Sequence, residues 1–562
     1  DVPGLRAEDL ADPTAPAFRT LVKQAAVGLL NTRTADIRLD RADALASSHL
    51  TVGAGARAAA FRCTDAGRHV DLRRIRAINR SLDHPVPLGA LGSIFRESGH
   101  SIEVIGDADD IAPRRDALLL AMDSQGAVDR VQSTDVHDPA EPYGLRSDVT
   151  LYRSPKAGCL TVWFYADLAR ASSYARHCTP TMARDHRVRA LARLNTLIAE
   201  RLMPEARRLQ ASGTAHQIWV HSPALDSSCP EMYRLTPVAL MGSGVRPGWL
   251  TSPSTRRKGL ILNTDILPTI ARLLGTSLPA GATGRAAISS GSGPASVERW
   301  RGLHTLQLDV ATEQFWLGTM PSVRMSLMLI MTGGAALWLL CRHASVQRRG
   351  KLVAVAAAGV MLVAVAVQAL SALFSPTGLA AGIILLAVCS AGGLILAVTT
   401  PRSRTALAEL SCIILAVGVP ATMLLIPDRL PNAWISYGAM LGTRLYGIGN
   451  EMAGAWLGAT VLTVAPLLRP PGHRTAFAVL AVCAFLAALP AWGANLGAGI
   501  AFATAATYAV AQQGSPRARA LKGLAAGLIL VGCIAILLRT LDRGAGASHL
   551  GRALALQQPL MQ

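Results

Sequence analysis

Four residues of this chain stand out for what they could bind: Asp1, Asp123, Asp167 and His221. Carboxylate oxygens and imidazole nitrogens are the ligands that divalent cations take from proteins. Asp123, Asp167 and His221 each fall at or near the end of a segment that reads as a β-strand. In an open α/β sheet, ligands bind beyond the carboxyl ends of the strands. Asp1 joins the set if the residues before it form a first strand. Polar residues resume wherever a strand ends, so each alone has an ordinary structural reading. Together they outline a pocket for a metal or a phosphate. A second polar group, Arg444, Asn450, Glu451 and Asn495, sits in an otherwise apolar half of the chain. Polar groups at membrane depth are expensive and often functional. Gly447, Gly449, Gly493 and Gly497 would let the backbone approach closely or bend into a re-entrant segment. The same residues read equally well as a solvated loop in which Arg444 pairs with Glu451.

The elements that must position the first group alternate in type. Segments 101–106, 117–123, 159–167, 216–222 and 236–241 are short and rich in β-branched or apolar residues, as strands are. Helix patterns at 87–98, 188–209 and 264–274 lie between them. This alternation predicts a doubly wound, mostly parallel α/β sheet covered on both faces. Residues 245–258, rich in Gly, Pro, Ser and Arg, read as a loop. The globular domain is expected over 1–280, with a tether over 281–324.

From Met325 onward the composition changes. Apolar runs long enough to cross a hydrocarbon core about 30 Å thick recur. They predict about eight membrane helices, at 325–341, 352–374, 377–399, 406–426, 452–468, 475–490, 494–511 and 521–538, followed by a truncated outer segment over 541–562. The formal charge is +19, and the membrane half holds 16 Lys+Arg against 4 Asp+Glu. Its basic residues cluster in alternate connections: Arg342, Arg348, Arg349 and Lys351; Arg402 and Arg404; Arg469 and Arg474; Arg517, Arg519 and Lys522. By the positive-inside rule these loops are cytoplasmic, which puts residues 1–324 outside a cell membrane crossed many times. That charge pattern also excludes a nucleic-acid binder, which would carry its basic residues along a groove with interleaved aromatics. The nine cysteines show no CxxC pair or zinc spacing. Cys63, Cys159, Cys178 and Cys229 lie in the outer part, where one or two disulfides and free thiols are both open readings. The first residue is not Met, and the last residues lie in a helix-like stretch. Both ends therefore read as cut.

Two stretches carry a family resemblance. Lys258-Gly-Leu-Ile-Leu-Asn-Thr-Asp265-Ile-Leu-Pro268-Thr269 resembles the D-x-x-P-T helix start near the end of alkaline-phosphatase-superfamily domains, with Asp265 as the expected N-cap. Leu235-Thr-Pro237-Val-Ala-Leu-Met-Gly242-Ser-Gly244 resembles the strand that precedes it. Asp1, followed by Asn31-Thr32-Arg33-Thr34 and by Leu50-Thr51-Val-Gly53-Ala-Gly55, looks like the family's opening metal ligand and nucleophile region. The resemblance covers about residues 1–275. It implies one or two divalent metals (zinc, manganese or magnesium) that activate a hydroxyl and hold a phosphate or sulfate ester. Carried over, Asp1 is a metal ligand and Thr32 the nucleophile, with Thr34 and Thr51 as alternates. The plain reading of the threonines is that they cap turns. One departure bears on catalysis. Where the family has an Asp-His pair, this chain reads Ile218-Trp-Val-His221-Ser222-Pro223, and no histidine follows until His304. Asp167, His221 and Asp226 are the residues left to complete a metal site. The two-part layout is similar to an uncharacterised group of bacterial envelope proteins, and to ethanolamine-phosphate transferases that modify lipid-linked glycans. The resemblance thus implies an envelope protein whose phosphatase- or phosphotransferase-like outer domain acts on or binds a phosphoester, with a membrane lipid or lipid-linked glycan as partner. A catalytically degenerate module that binds a glycan or a protein partner is the second reading. A transporter or flippase built on the membrane half is the third.

Overall fold

A computed structural model describes residues 1–562 except 13, 36–42, 65–66, 225–234, 292–295, 342, 375–400, 428–430, 432, 436–444, 469–470, 512–514 and 542–562. Arg444, Asp226 and Cys229, the expected span at 377–399 and nearly all of the expected outer segment lie outside the described residues. The chain forms two compact units, Asp1–Gln307 and Leu308–Gln562.

In the first unit the strands are β1 (Ala26–Asn31), β2 (Ser101–Ile105), β3 (Arg130–Gln132), β4 (Asp135–His137), β5 (Leu145–Ser147), β6 (Cys159–Trp163), β7 (Gln217–His221), β8 (Leu235–Gly242), β9 (Gly248–Thr251), β10 (Leu260–Leu262) and β11 (Ile288–Ser289). Six of them form one sheet in the order β11-β9-β10-β1-β8-β7, and three form another in the order β3-β2-β6. β4 and β5 make a separate antiparallel pair. The three-stranded sheet is parallel throughout. The larger sheet is mixed, which corrects the expectation of a mostly parallel one. β1 runs parallel to β9 and β10 but antiparallel to β8, and β8 is antiparallel to β7. Parallel neighbours need a crossover connection, and among the described residues none separates β7 from β8.

β1 forms because Ala26-Val-Gly-Leu-Leu-Asn31 is buried at every position. A strand covered on both faces reads as a continuous apolar run rather than an alternation. The same ambiguity misleads at Ala117-Leu-Leu-Leu-Ala121, expected as a strand and found as a short, fully buried helix. Periodicity alone does not separate a buried strand from a buried helix. This helix packs against helix Ala44–Ala54 so closely that a Cβ on Gly53 would lie 2.5 Å from the Leu120 carbonyl oxygen. Gly55 ends the Ala44–Ala54 helix in the left-handed conformation, at φ 62°. The Leu50–Gly55 stretch is thus a packing surface followed by a helix stop. Asp123, no longer at a strand end, accepts the backbone N–H groups of Gln125 and Ala127 and pairs with Arg96.

The second unit is helical. Helices span Ser296–Leu340 (which begins in the first unit), Ala344–Phe374, Pro401–Leu425, Asn450–Val464, His473–Ala488, Leu496–Ala511 and Pro516–Leu541. Among the described residues, two helical stretches, Asn450–Leu468 and Arg517–Leu537, are long and apolar enough to cross a membrane.

Candidate functional site

The carboxyl ends of β1, β2, β6 and β7 lead into Thr32–Thr34, Asp107, Asp167 and Ser222. Asp1 is bound between two of these ends. Its amine donates to the Trp163 carbonyl oxygen at 2.9 Å, and its own carbonyl accepts the Tyr165 N–H at 3.0 Å. The Val2 N–H donates to the His221 carbonyl at 2.8 Å. The Asp1 carboxylate meets His49, 2.7 Å from Oδ2 to Nε2. His49 is fully buried in helix Ala44–Ala54, its ring edge-on to Phe164 and its Nδ1 2.8 Å from the Leu45 carbonyl. Both ring nitrogens therefore face acceptors. One proton must sit in the His49–Asp1 contact, because the ring's other N–H is given to Leu45. Burial pushes the His49 imidazolium down to about 4, and a carboxylate 2.7 Å away favours the charged ring against that push.

The other expected ligands are placed differently. The Asp167 carboxylate receives Ser147 N and Oγ and Arg170 Nη1 on one oxygen, and Arg193 Nε on the other. Four donors saturate a carboxylate, so Asp167 works as an anchor of the loops rather than as an open ligand. His221 is buried, and its imidazolium is held well below the usual range by that burial, by the nearby amine of Asp1 and by His49. It borders the same apolar cavity as Asp1. Thr51 is fully buried, its hydroxyl donating to the Ser47 carbonyl and accepting the Ala58 N–H. Those bonds give it the turn-capping role. Thr32 and Thr34 follow β1, both half-buried. In the second unit Asn450 and Asn495 do meet. The Asn495 amide donates to Asn450 Oδ1 at 3.1 Å and to the Ile448 carbonyl, while its Oδ1 accepts the Ala498 N–H. This joins the starts of two helices and caps one of them.

Groups that sequence reading missed fill the rim between β2, β6 and helix Ala44–Ala54. A cavity of about 230 Å³ is lined there by Gly4, Asp43, Asp110, Arg114, Arg170 and Ser173, among others. Arg170, 2% exposed, donates to the Asp107 and Asp109 carbonyls and pairs with Asp135, Asp107 and Asp167. Arg114 pairs with Asp43 and Asp116, and Arg115 with Asp107 and Asp109. Ligand atoms of Asp107, Asp109 and Asp135 lie within 4.8 Å of one another, close enough to share one cation. The cationic place among them is taken by the Arg115 and Arg170 guanidiniums. Burial and the hydrogen bond that it donates to its neighbour Asp107 push Asp135 up to about 8. Held protonated, it leaves two carboxylates facing two arginines. A metal therefore fits this cluster poorly, since it would have to displace an arginine already held by backbone carbonyls.

That protonation has a measurable consequence. The folded chain binds the Asp135 proton more tightly than the unfolded chain, so this contribution to stability is full below about pH 4. It is lost as pH rises through about 8. Asp135→Asn keeps the neutral form at every pH. Its Tm relative to the parent should rise between pH 5 and pH 9, measured by differential scanning fluorimetry; parallel curves would show that Asp135 is ionised throughout.

No protein-family model matches the chain, and no curated protein does. Among solved structures, a phosphonate monoester hydrolase from Silicibacter pomeroyi is similar over 51% of this chain and 74% of its own length, with 14% identity and a TM-score of 0.30. A likeness at that level carries neither activity nor substrate to this chain.

Proposed function

We propose that the first unit is a phosphatase-like domain that binds a cell-surface glycan at its strand-end rim without hydrolysing a phosphoester, and that the second unit anchors it in the membrane. One observation carries this reading: the rim's charged groups are already matched to one another. One Asp1 oxygen is taken by His49, Asp167 is saturated, and Arg114 and Arg170 are each held by carboxylates. A phosphoester dianion needs surplus positive charge or a metal, and the carboxylates of this rim oppose it. A mixed wall of carboxylate, guanidinium and serine suits sugar hydroxyls, which both donate and accept.

The test uses the purified full-length protein. Binding of envelope glycan fragments by calorimetry should be lost in Ala169→Phe, which fills the rim cavity, while Tm stays within about 2 °C. Hydrolysis of p-nitrophenyl phosphate with added zinc or manganese should stay at background. Turnover that falls about a hundredfold or more in Asp1→Ala or Thr32→Ala would replace the binding reading with the hydrolase.

The alternating loop charges support a multi-pass arrangement with residues 1–324 outside. In a background with the native cysteines replaced by serine, Arg301→Cys should react with an impermeant thiol reagent on intact cells and Gln347→Cys should not. The reverse pattern would invert the orientation and remove the access to a surface glycan.

A further inference from the structure

The turn that joins β4 to β5 holds a tyrosine in a conformation that side chains rarely adopt. Tyr143 stands at φ 59° and ψ 13°, in the left-handed region. A bulky residue there is strained, and a fold keeps it where the surroundings fix it, often at a ligand site. The surroundings here do fix it. The Asp138 N–H donates to the Gly144 carbonyl at 2.8 Å, and the Gly144 N–H to the Glu141 carbonyl at 2.9 Å. Arg189 and Arg193 hold the Glu141 carboxylate. Glycine would take the same turn without strain, so what Tyr143 adds is its ring.

That ring stands beside the rim cavity. Tyr143 Oη donates to Ser173 Oγ at 3.1 Å, and Ser173 Oγ donates in turn to the Arg170 carbonyl at 3.1 Å. Ser173 and Arg170 both line the cavity of about 230 Å³. Tyr174, the last residue of helix Asp167–Tyr174, meets the Tyr143 ring edge-on, with centroids 5.0 Å apart and planes at 71°. Tyr174 is itself backed by His177 at 5.7 Å and His186 at 5.9 Å. Among the described residues Tyr143 meets no second ring, and it is only half-buried. Tyr174 is thus the support and Tyr143 the ring left open to a ligand.

We propose that Tyr143 is the stacking platform of the glycan site: a pyranose lays its C–H face on the ring while its hydroxyls reach Ser173 and the charged side chains of the cavity. The proposal rests on the glycan reading above and adds the class of ligand, a sugar ring with an apolar face. The face of an aromatic ring is negative and attracts the weakly positive C–H hydrogens of a sugar. Covering that C–H face also removes apolar surface from water, which a wall of carboxylates, guanidiniums and serines does not do. A quaternary ammonium is another ligand that aromatic rings take. The exposed Arg176 opposes it, since Arg176 Nε donates to His177 Nε2 at 3.1 Å and pairs with no carboxylate among the described residues.

The test reads binding of the purified full-length protein to an array of neutral and acidic oligosaccharides, for the parent, Tyr143→Phe, Tyr143→Leu and Ala169→Phe. Tyr143→Phe keeps the ring and should stay within about threefold of the parent's affinity, whereas Tyr143→Leu should lose about tenfold or more, the scale of one stacked ring. Saturation-transfer NMR of the parent with its best-bound sugar gives a second measurement that no variant's folding affects. Transfer from aromatic protons should be strongest to the C–H protons of one sugar face. Unchanged affinity in Tyr143→Leu, or transfer spread evenly over both faces, would overturn the inference, and binding lost in Ala169→Phe would leave the glycan reading standing. Equal losses in Tyr143→Phe and Tyr143→Leu would give the role to the hydroxyl and overturn stacking. A parent that binds no sugar would sink the glycan reading and the platform with it.

Discussion

Asp265→Ala should destabilise the first unit by about 3–5 kcal/mol, well beyond the 0.5–2 kcal/mol of a lost helix cap. The Asp265 carboxylate is fully buried and accepts four hydrogen bonds: Ser252 Oγ and Leu262 N on one oxygen, Ser254 Oγ and Arg285 N on the other. It makes no side-chain bond to the helix it precedes. The expected N-cap is thus a junction tying the 252–254 loop, the end of β10 and the 283–285 loop together. The serine hydroxyls can turn elsewhere, whereas the two backbone N–H groups are left buried and unpaired, each at about 1–3 kcal/mol. Thermal melting of the full chain should show the first unit's transition lowered by about 10 °C. A drop under about 3 °C would return Asp265 to a simple cap.

Arg170→Met should be comparably severe. The guanidinium is the hub for Asp107, Asp135 and Asp167, and methionine replaces its volume but none of its bonds. Removing one member of a buried charge network leaves the opposite charges unpaired, at about 3–5 kcal/mol. Adding Asp107→Asn removes one of the stranded carboxylates, so the double variant should recover part of the loss. Chemical denaturation of the two single variants and the double completes the cycle. Strict additivity would show that Arg170 and Asp107 do not interact energetically, and the account of the rim as a matched charge cluster would fail with it.

Local chemistry made part of this protein readable in advance. Ser101–Ile105, Cys159–Trp163, Gln217–His221 and Leu235–Gly242 are strands, and Ala90–Glu97 and Ile266–Leu274 helices, largely where pattern and composition placed them. Their signals are contained within ten or so residues, so no distant contact had to be known. The Asp265 motif was legible as a feature, although its role was not, because three of its four donors come from other segments. β1 and the helix Ala117–Ala121 were missed or misread for one reason: a segment buried on every side has no polar face to give it a period. The candidate site was the least legible part. His49 lies in an apolar helix and earns no notice until the fold brings it to Asp1, 48 residues earlier. Arg170 sits one helical turn from Asp167, but its partnership with Asp107 and Asp135 reaches across to the end of β2 and the start of β4. Sequence by itself determined which segments are apolar, where turns and helix starts fall, and which residue types could bind a cation. Only the tertiary structure decided which carboxylates meet arginines, and hence which are already neutralised, because electrostatic partnership depends on distance in space and falls off over a few ångströms that chain separation does not encode.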